Sequence, residues 1–125
     1  MFKTINTSAA PAAIGPYTQG KVINGLVFTS GQIGLVPATG ELAGSTIEEQ
    51  TEQAIANLEA ILKEGGSDLT KVIKTTCFLA DIADFAAFNA VYAKYFTTGP
   101  ARSCFAVKDL PKGALCEIEA IADAE

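Results

Sequence analysis

The chain has 125 residues and a mass of 13.0 kDa, with 49% hydrophobic and 18% charged residues, a formal net charge of −5 and a pI near 4.7. It contains no histidine and no tryptophan, which excludes Ser-His-Asp and Cys-His nucleophile pairs, a histidine base and imidazole metal ligation. The length suits one domain over residues 1–125, and the acidic balance disfavours nucleic acid and anionic membranes as partners.

No apolar run approaches the roughly 18 residues of a spanning helix, and Met1 to Thr7 lacks the apolar region of a secretory signal. Cys77, Cys104 and Cys116 form no CxxC pair, so they read as reduced thiols of a cytoplasmic protein rather than a zinc site or disulfide framework. The charged fraction lies below the roughly 25% of an average soluble domain. Part of the surface is therefore expected to be covered by copies of the same chain.

In chain order, Phe2 to Ile5 is a short first strand, followed by an irregular Ala-, Gly- and Pro-rich loop ending at Gly15-Pro16-Tyr17. Lys21–Ile23 and Leu26–Ser30 flank Asn24-Gly25, a dipeptide suited to the positive φ angles of a type I′ turn, and read as a hairpin. After the break at Pro37 to Gly40, Thr46 and Glu49 form a capping-box signature. Ile47, Ala54, Ile55, Leu58, Ile61 and Leu62 then make a helical apolar stripe, stopped by Gly65-Gly66. Val72 to Leu79 is a β-branched and aromatic strand.

Asp84 caps a second helix reaching about Phe96, with the stripe Phe85, Phe88, Tyr92, Tyr95 and Phe96. Ala101 to Val107 and Leu115 to Ala122 are the last two strands. The order β-β-β-α-β-α-β-β describes an α/β sandwich with two helices on one sheet face. The other face needs a partner, which again points to self-association.

Arg102 is the only arginine among nine basic residues. Its guanidinium can grip a carboxylate with two parallel hydrogen bonds, as lysine cannot; the alternative is a strand-end side chain with its head in water. Period two puts Leu115, Glu117, Glu119 and Ile121 on one face of the last strand. Glutamates among apolar neighbours are candidate proton carriers, although they also suit a solvated edge, or an ion pair with Arg102. Glu48, Glu49, Glu52 and Glu59 fall on the solvated face of the first helix. Gly31, after Thr29-Ser30, permits close approach of a ligand to the backbone, or marks a bulge. Tyr17 suits a pocket wall or an interface. Cys104 lacks an imidazole to activate it and is not read as a nucleophile.

Taken together, APAAIGPYTQG (residues 10–20), LVFTSGQI (26–33), residues 72–96 and PARSCFAVKDLPKGALCEIEAIA (100–122) resemble the RidA family of enamine/imine deaminases over nearly the whole chain. The resemblance implies a chorismate-mutase-like fold, a mixed six-stranded sheet with two helices on one face, assembled as a homotrimer with ligand clefts between subunits. It implies hydrolysis of 2-iminobutanoate and 2-iminopropanoate to 2-keto acids and ammonia, without metal or organic cofactor. The family's carboxylate-binding arginine falls on Arg102 and its water-handling glutamate on Glu117. Its backbone contacts to substrate fall on Gly31 and Cys104, while Tyr17, Ser30 and Asn89 match positions lining or near the cleft. Two departures stand out: a short Thr97-Thr98-Gly99 connection, and Gly34 where the family commonly has proline. The resemblance also leaves two rivals, a non-catalytic trimer binding small carboxylates or unfolded proteins, and an endoribonuclease. The second is the weaker, given the net charge and the lack of histidine.

Overall fold

Asn24 and Gly25 have φ of 50° and 74° in the computed structural model, which describes residues 1–125, and they turn the predicted hairpin as expected. Six strands are present: β1 Lys3–Ile5, β2 Gly20–Ile23, β3 Leu26–Thr29, β4 Val72–Leu79, β5 Ala101–Ala106 and β6 Cys116–Asp123. They form one sheet in the order β1-β2-β3-β6-β4-β5. Only β4 and β5 run parallel; the other neighbours are antiparallel. The sheet is mixed and six-stranded, as expected.

The helices are α1, Ile47–Glu64, and α2, Phe85–Tyr95. The Thr46 hydroxyl accepts from the Glu49 amide while the Glu49 carboxylate accepts from the Thr46 amide, so the capping box forms as read. The whole α1 stripe is buried and packs with Ile5, Val27, Leu79, Phe88 and Ile118 into the main core. At the other end Gly66, at φ +87°, makes the left-handed exit. The start of α2 departs from expectation. Asp84 makes no side-chain cap; Asp81 instead accepts from the Ala83 amide at 2.9 Å and opens a 3-10 turn that runs into the helix. The turn leaves Asp84 at φ −84°, ψ 1°, not in the extended backbone from which an N-cap side chain reaches the next turn, and the Phe85 amide donates to the Ile82 carbonyl.

The polar residues buried inside α1 were not evident from its apolar stripe. Asn57 Nδ2 donates to the carbonyls of Ile33 and Leu35 at 3.1 and 2.8 Å. Gln50 donates to the Gly44 carbonyl at 3.0 Å and accepts from the Leu115 amide at 2.8 Å. These amides tie two loops to the helix beneath a small second core of Ile33, Leu35 and Ala114. Gly34 lies in one of these loops, and a Cβ there would come 2.6 Å from the Gln50 carbonyl oxygen. Glu52 is also less free than its position suggested: Lys94 meets it at 2.7 Å and the Tyr95 hydroxyl donates to it, clamping α2 to α1. No helix is long and apolar enough to cross a membrane.

Candidate functional site

Sheet register decides where the candidate side chains point. Cys116, Ile118, Ala120 and Ala122 are buried beneath the helices, leaving Glu117, Glu119 and Ile121 on the opposite, open face. Glu117 pairs with Phe78 and Glu119 with Thr76 on that face. Across the parallel pair, Arg102 and Cys104 lie beside Thr75 and Cys77, both buried on the helical side. Arg102 and Glu117 of one chain therefore project from opposite faces of the sheet. An ion pair between Arg102 and either glutamate, left open by the sequence, does not form.

The open-face cleft is built by a bulge. Phe28 pairs with Ile121, and beyond it Gln32 pairs with Ile118, so residues 29–31 stand opposite only residues 119–120. The Thr29 hydroxyl fills the gap by accepting from the Ala120 amide at 3.0 Å. Such a bulge ends regular pairing and re-aims the chain beside it. It presses Gly31 against Glu117: a Cβ on Gly31 would lie 2.8 Å from the Glu117 Cδ. The Gly31 amide donates to no group of the chain. Gly31 and Glu117 line a cleft of about 260 Å³ with Tyr17, Gln19, Gln32 and Lys112. Burial, reinforced by the Glu119 carboxylate, pushes the Glu117 pKa above its ordinary value.

Ser30 lies outside that wall. Its hydroxyl donates to the Thr18 carbonyl at 2.5 Å, and its amide donates to the Gln19 carbonyl at 2.8 Å. Gln19 in turn bonds Thr7, Ala10 and Pro11 through its side chain, holding the irregular loop that forms one wall. Neither Gln19 nor Lys112, which adopts φ +58° between Pro111 and Gly113, was singled out from the sequence. Both sit in stretches that carried the family resemblance, residues 10–20 and 100–122, and so were within reach, but nothing in residue type or spacing set either apart.

A second hollow lies on the helical side of the sheet, at its free β5 edge, and is lined by Arg102, Asn89, Tyr92, Phe96, Gly99 and Pro100. The short 97–99 connection thus forms part of its rim. Arg102 makes no ion pair within the chain. Its Nη1 donates to Asn89 Oδ1 at 2.7 Å, and its Cζ lies 4.8 Å from the Tyr92 ring centre and 5.6 Å from that of Phe85. The amide of Val107 donates inward to Leu79 at 2.8 Å. By strand alternation, the backbone groups of Arg102 and Cys104 point outward at this unpaired edge. Burial raises the Cys104 pKa, outweighing the opposing effect of Arg102, in keeping with a thiol that is no nucleophile. Each face thus carries half of the expected site: Glu117, Gly31 and Tyr17 on one, Arg102, Cys104 and Asn89 on the other.

Known proteins share this chain's sequence and fold. A chain from Lactococcus lactis subsp. lactis, named as a candidate regulator, AldR, is 58% identical over 123 residues, 98% of each chain. The 2-iminobutanoate/2-iminopropanoate deaminase of Rattus norvegicus is 49% identical over 121 residues, covering 96% of this chain and 88% of the rat protein. The crystal structure of E. coli TdcF with bound serine superposes with a TM-score of 0.94 at 43% identity, covering 98% of this chain and 99% of that one. The family model described as Endoribonuclease L-PSP matches residues 7–124. With its bulged glycine under a desolvated glutamate and its unpaired arginine on a mixed six-stranded sheet, the chain belongs to the Endoribonuclease L-PSP family, the RidA family that its motifs resemble.

Proposed function

We propose that this protein hydrolyses short 2-imino acids, 2-iminobutanoate and 2-iminopropanoate, to 2-keto acids and ammonia, in clefts between the subunits of a cytoplasmic homotrimer. The observation that carries this reading is the placement of Arg102 and Glu117. The only arginine is half-buried with no counter-charge, and the desolvated glutamate lies on the opposite face of the sheet. A small ligand meets both only where the β5 edge of one chain approaches the open face of another.

In that cleft the Arg102 guanidinium takes the substrate carboxylate and sets its orientation. The outward amide of Cys104 and the unengaged amide of Gly31 offer further hydrogen bonds, with Tyr17 and Asn89 around them, while Ser30 braces the wall from behind through Thr18 and Gln19. Glu117 draws one proton from a water molecule as the water oxygen adds to C2, and passes it to the imine nitrogen. It then takes the carbinol hydroxyl proton as C=O forms and gives it to the same nitrogen as the C–N bond breaks, so one water is consumed and one ammonia leaves. The raised Glu117 pKa suits both steps, because a proton held too weakly is poorly returned. Imines hydrolyse readily, so positioning and proton transfer suffice without a metal or organic cofactor. The product is a 2-keto acid that retains its carboxylate.

The test couples the protein to threonine dehydratase with semicarbazide trapping the released imine. Wild-type protein is expected to divert imine from the trap, and Arg102→Ala to lose that diversion. No diversion by the wild type refutes the activity, and an undiminished Arg102→Ala refutes the role of that residue. Carboxylate binding without turnover is a second reading, favoured by the serine bound to the E. coli relative. It gains the upper hand if 2-oxobutanoate binds but imine is not consumed. The family description as an endoribonuclease finds little support in a chain of net charge −5. RNA cleavage that persists in Glu117→Ala after contaminating nucleases are removed would restore it.

A further inference from the structure

Arg102 is held as well as placed. Its guanidinium lies between two groups of α2: Asn89 Oδ1, which takes one Nη1 proton at 2.7 Å, and the Tyr92 ring, 4.8 Å from Cζ. Tyr92 is itself fixed at both ends. Its hydroxyl hydrogen-bonds that of buried Thr75 at 2.7 Å, and its ring stacks on Phe96 with centroids 4.3 Å apart. Thr75 is the register partner of Arg102 on the adjacent strand, so the frame closes on the strand that carries the arginine. A long, rotamer-rich side chain is thereby kept in one orientation, its remaining N–H groups unclaimed by any carboxylate of the chain.

We propose that Asn89 and Tyr92 are positioning residues: they aim the Arg102 guanidinium so that its free edge meets the substrate carboxylate, and they act on the substrate through Arg102. This inference rests on the reading of Arg102 as the carboxylate anchor. It also makes a choice that residue matching left open, since the Asn89 side-chain oxygen is engaged by Arg102 and is not directed at substrate. Only a side chain that accepts without bearing charge suits this place. A carboxylate at position 89 would fill the guanidinium's demand for an anion and compete with the substrate.

The experiment measures 2-oxobutanoate binding by calorimetry, and kcat and KM in the coupled assay, for wild type, Arg102→Ala, Asn89→Ala, Asn89→Asp and Tyr92→Leu. Melting curves check that each variant is folded. Asn89→Ala and Tyr92→Leu are expected to raise KM and the 2-oxobutanoate Kd about tenfold, the scale of one hydrogen bond to a charged group for Asn89 and of a cation–ring contact for Tyr92, with kcat reduced far less, as for loss of an interaction made equally in ground and transition states. Asn89→Asp is expected to weaken binding more than Asn89→Ala does. A purely structural role gives the reverse order, because aspartate nearly matches asparagine in shape. Should Asn89→Asp bind as well as or better than Asn89→Ala, the inference is overturned while the anchor stands. Should Arg102→Ala bind 2-oxobutanoate as wild type does, the anchor itself falls and the inference with it. If Tyr92→Leu fails to fold, the two Asn89 variants still decide between these outcomes.

Discussion

Glu117 shows how one residue's environment separates function from stability. Burial beside Glu119 raises its pKa, so the folded chain holds this proton more tightly than the unfolded chain. Above the raised folded pKa the group is ionised in both states, and its desolvation opposes folding in full. The penalty fades as pH falls through the raised folded pKa and is gone below the unfolded one. Glu117→Gln is therefore expected to raise the melting temperature at neutral pH, with the gain shrinking toward acid, while imine hydrolysis is lost. Thermal scans across the pH range check the sign. Gly31 is the companion case. The three atoms nearest a Cβ there all belong to the Glu117 side chain, so the carboxylate can swing aside. Gly31→Ala is expected to cut kcat severely with little change in the urea midpoint; a large loss of stability would show that the contact is rigid. That a glycine after Thr29-Ser30 matters was legible in the sequence, but which of its possible roles it plays depended on a neighbour 86 positions away along the chain.

At the scale of elements, α1 is both core and scaffold. Its apolar stripe was readable from spacing and carries the packing. Asn57 and Gln50 were not readable, because a polar residue inside a helix has no periodic signature that tells a buried amide from a solvated one. Asn57 is fully buried, and its two hydrogen bonds fix the carbonyls of Ile33 and Leu35 near the cleft wall. Asn57→Ala is expected to cost about 2 kcal/mol, since it strands buried acceptors, and to raise KM as the wall loosens. Urea denaturation and the coupled assay measure the two effects. The start of α2 shows a related limit. Asp81 and Asp84 both suit a cap, and the choice followed from the 3-10 turn by which the chain leaves β4. Hairpin, capping box and strand positions, in contrast, were legible because each rests on neighbours in sequence.

For the whole molecule, the two faces of the sheet govern the design. The helices cover one face; the other exposes Phe28 to 39% and Phe105 to 45%, and Ile73, at the irregularity in β4, is exposed to 48%. Together with a charged fraction of 18%, this is apolar surface that a trimer would cover. Because Arg102 and Glu117 lie on opposite faces, a shared cleft requires two chains, and the assembly can be tested through its activity. Arg102→Ala and Glu117→Ala chains, each expected to be inactive alone, are unfolded together and refolded as a mixture. If each cleft takes Arg102 from one subunit and Glu117 from another, about a quarter of wild-type activity should return in an equal mixture with random assembly. If both residues acted within one chain, none would.

The sequence by itself determined the element order, the hairpin turn, the cap of α1 and the chemical inventory: one arginine, no histidine, and a glutamate in an apolar strand. These follow from local conformational preference and from counting, which need no knowledge of distant neighbours. Only the tertiary structure decided that Arg102 faces α2 while Glu117 faces away from it, that Asn89 accepts a hydrogen bond from the arginine, and that Glu117 packs against Gly31. The reason is register. Side chains alternate from face to face along a strand, so a shift of one residue in how β5 meets β4, or in how the β3 bulge meets β6, would reverse those assignments. That register is set by packing between segments far apart in the chain.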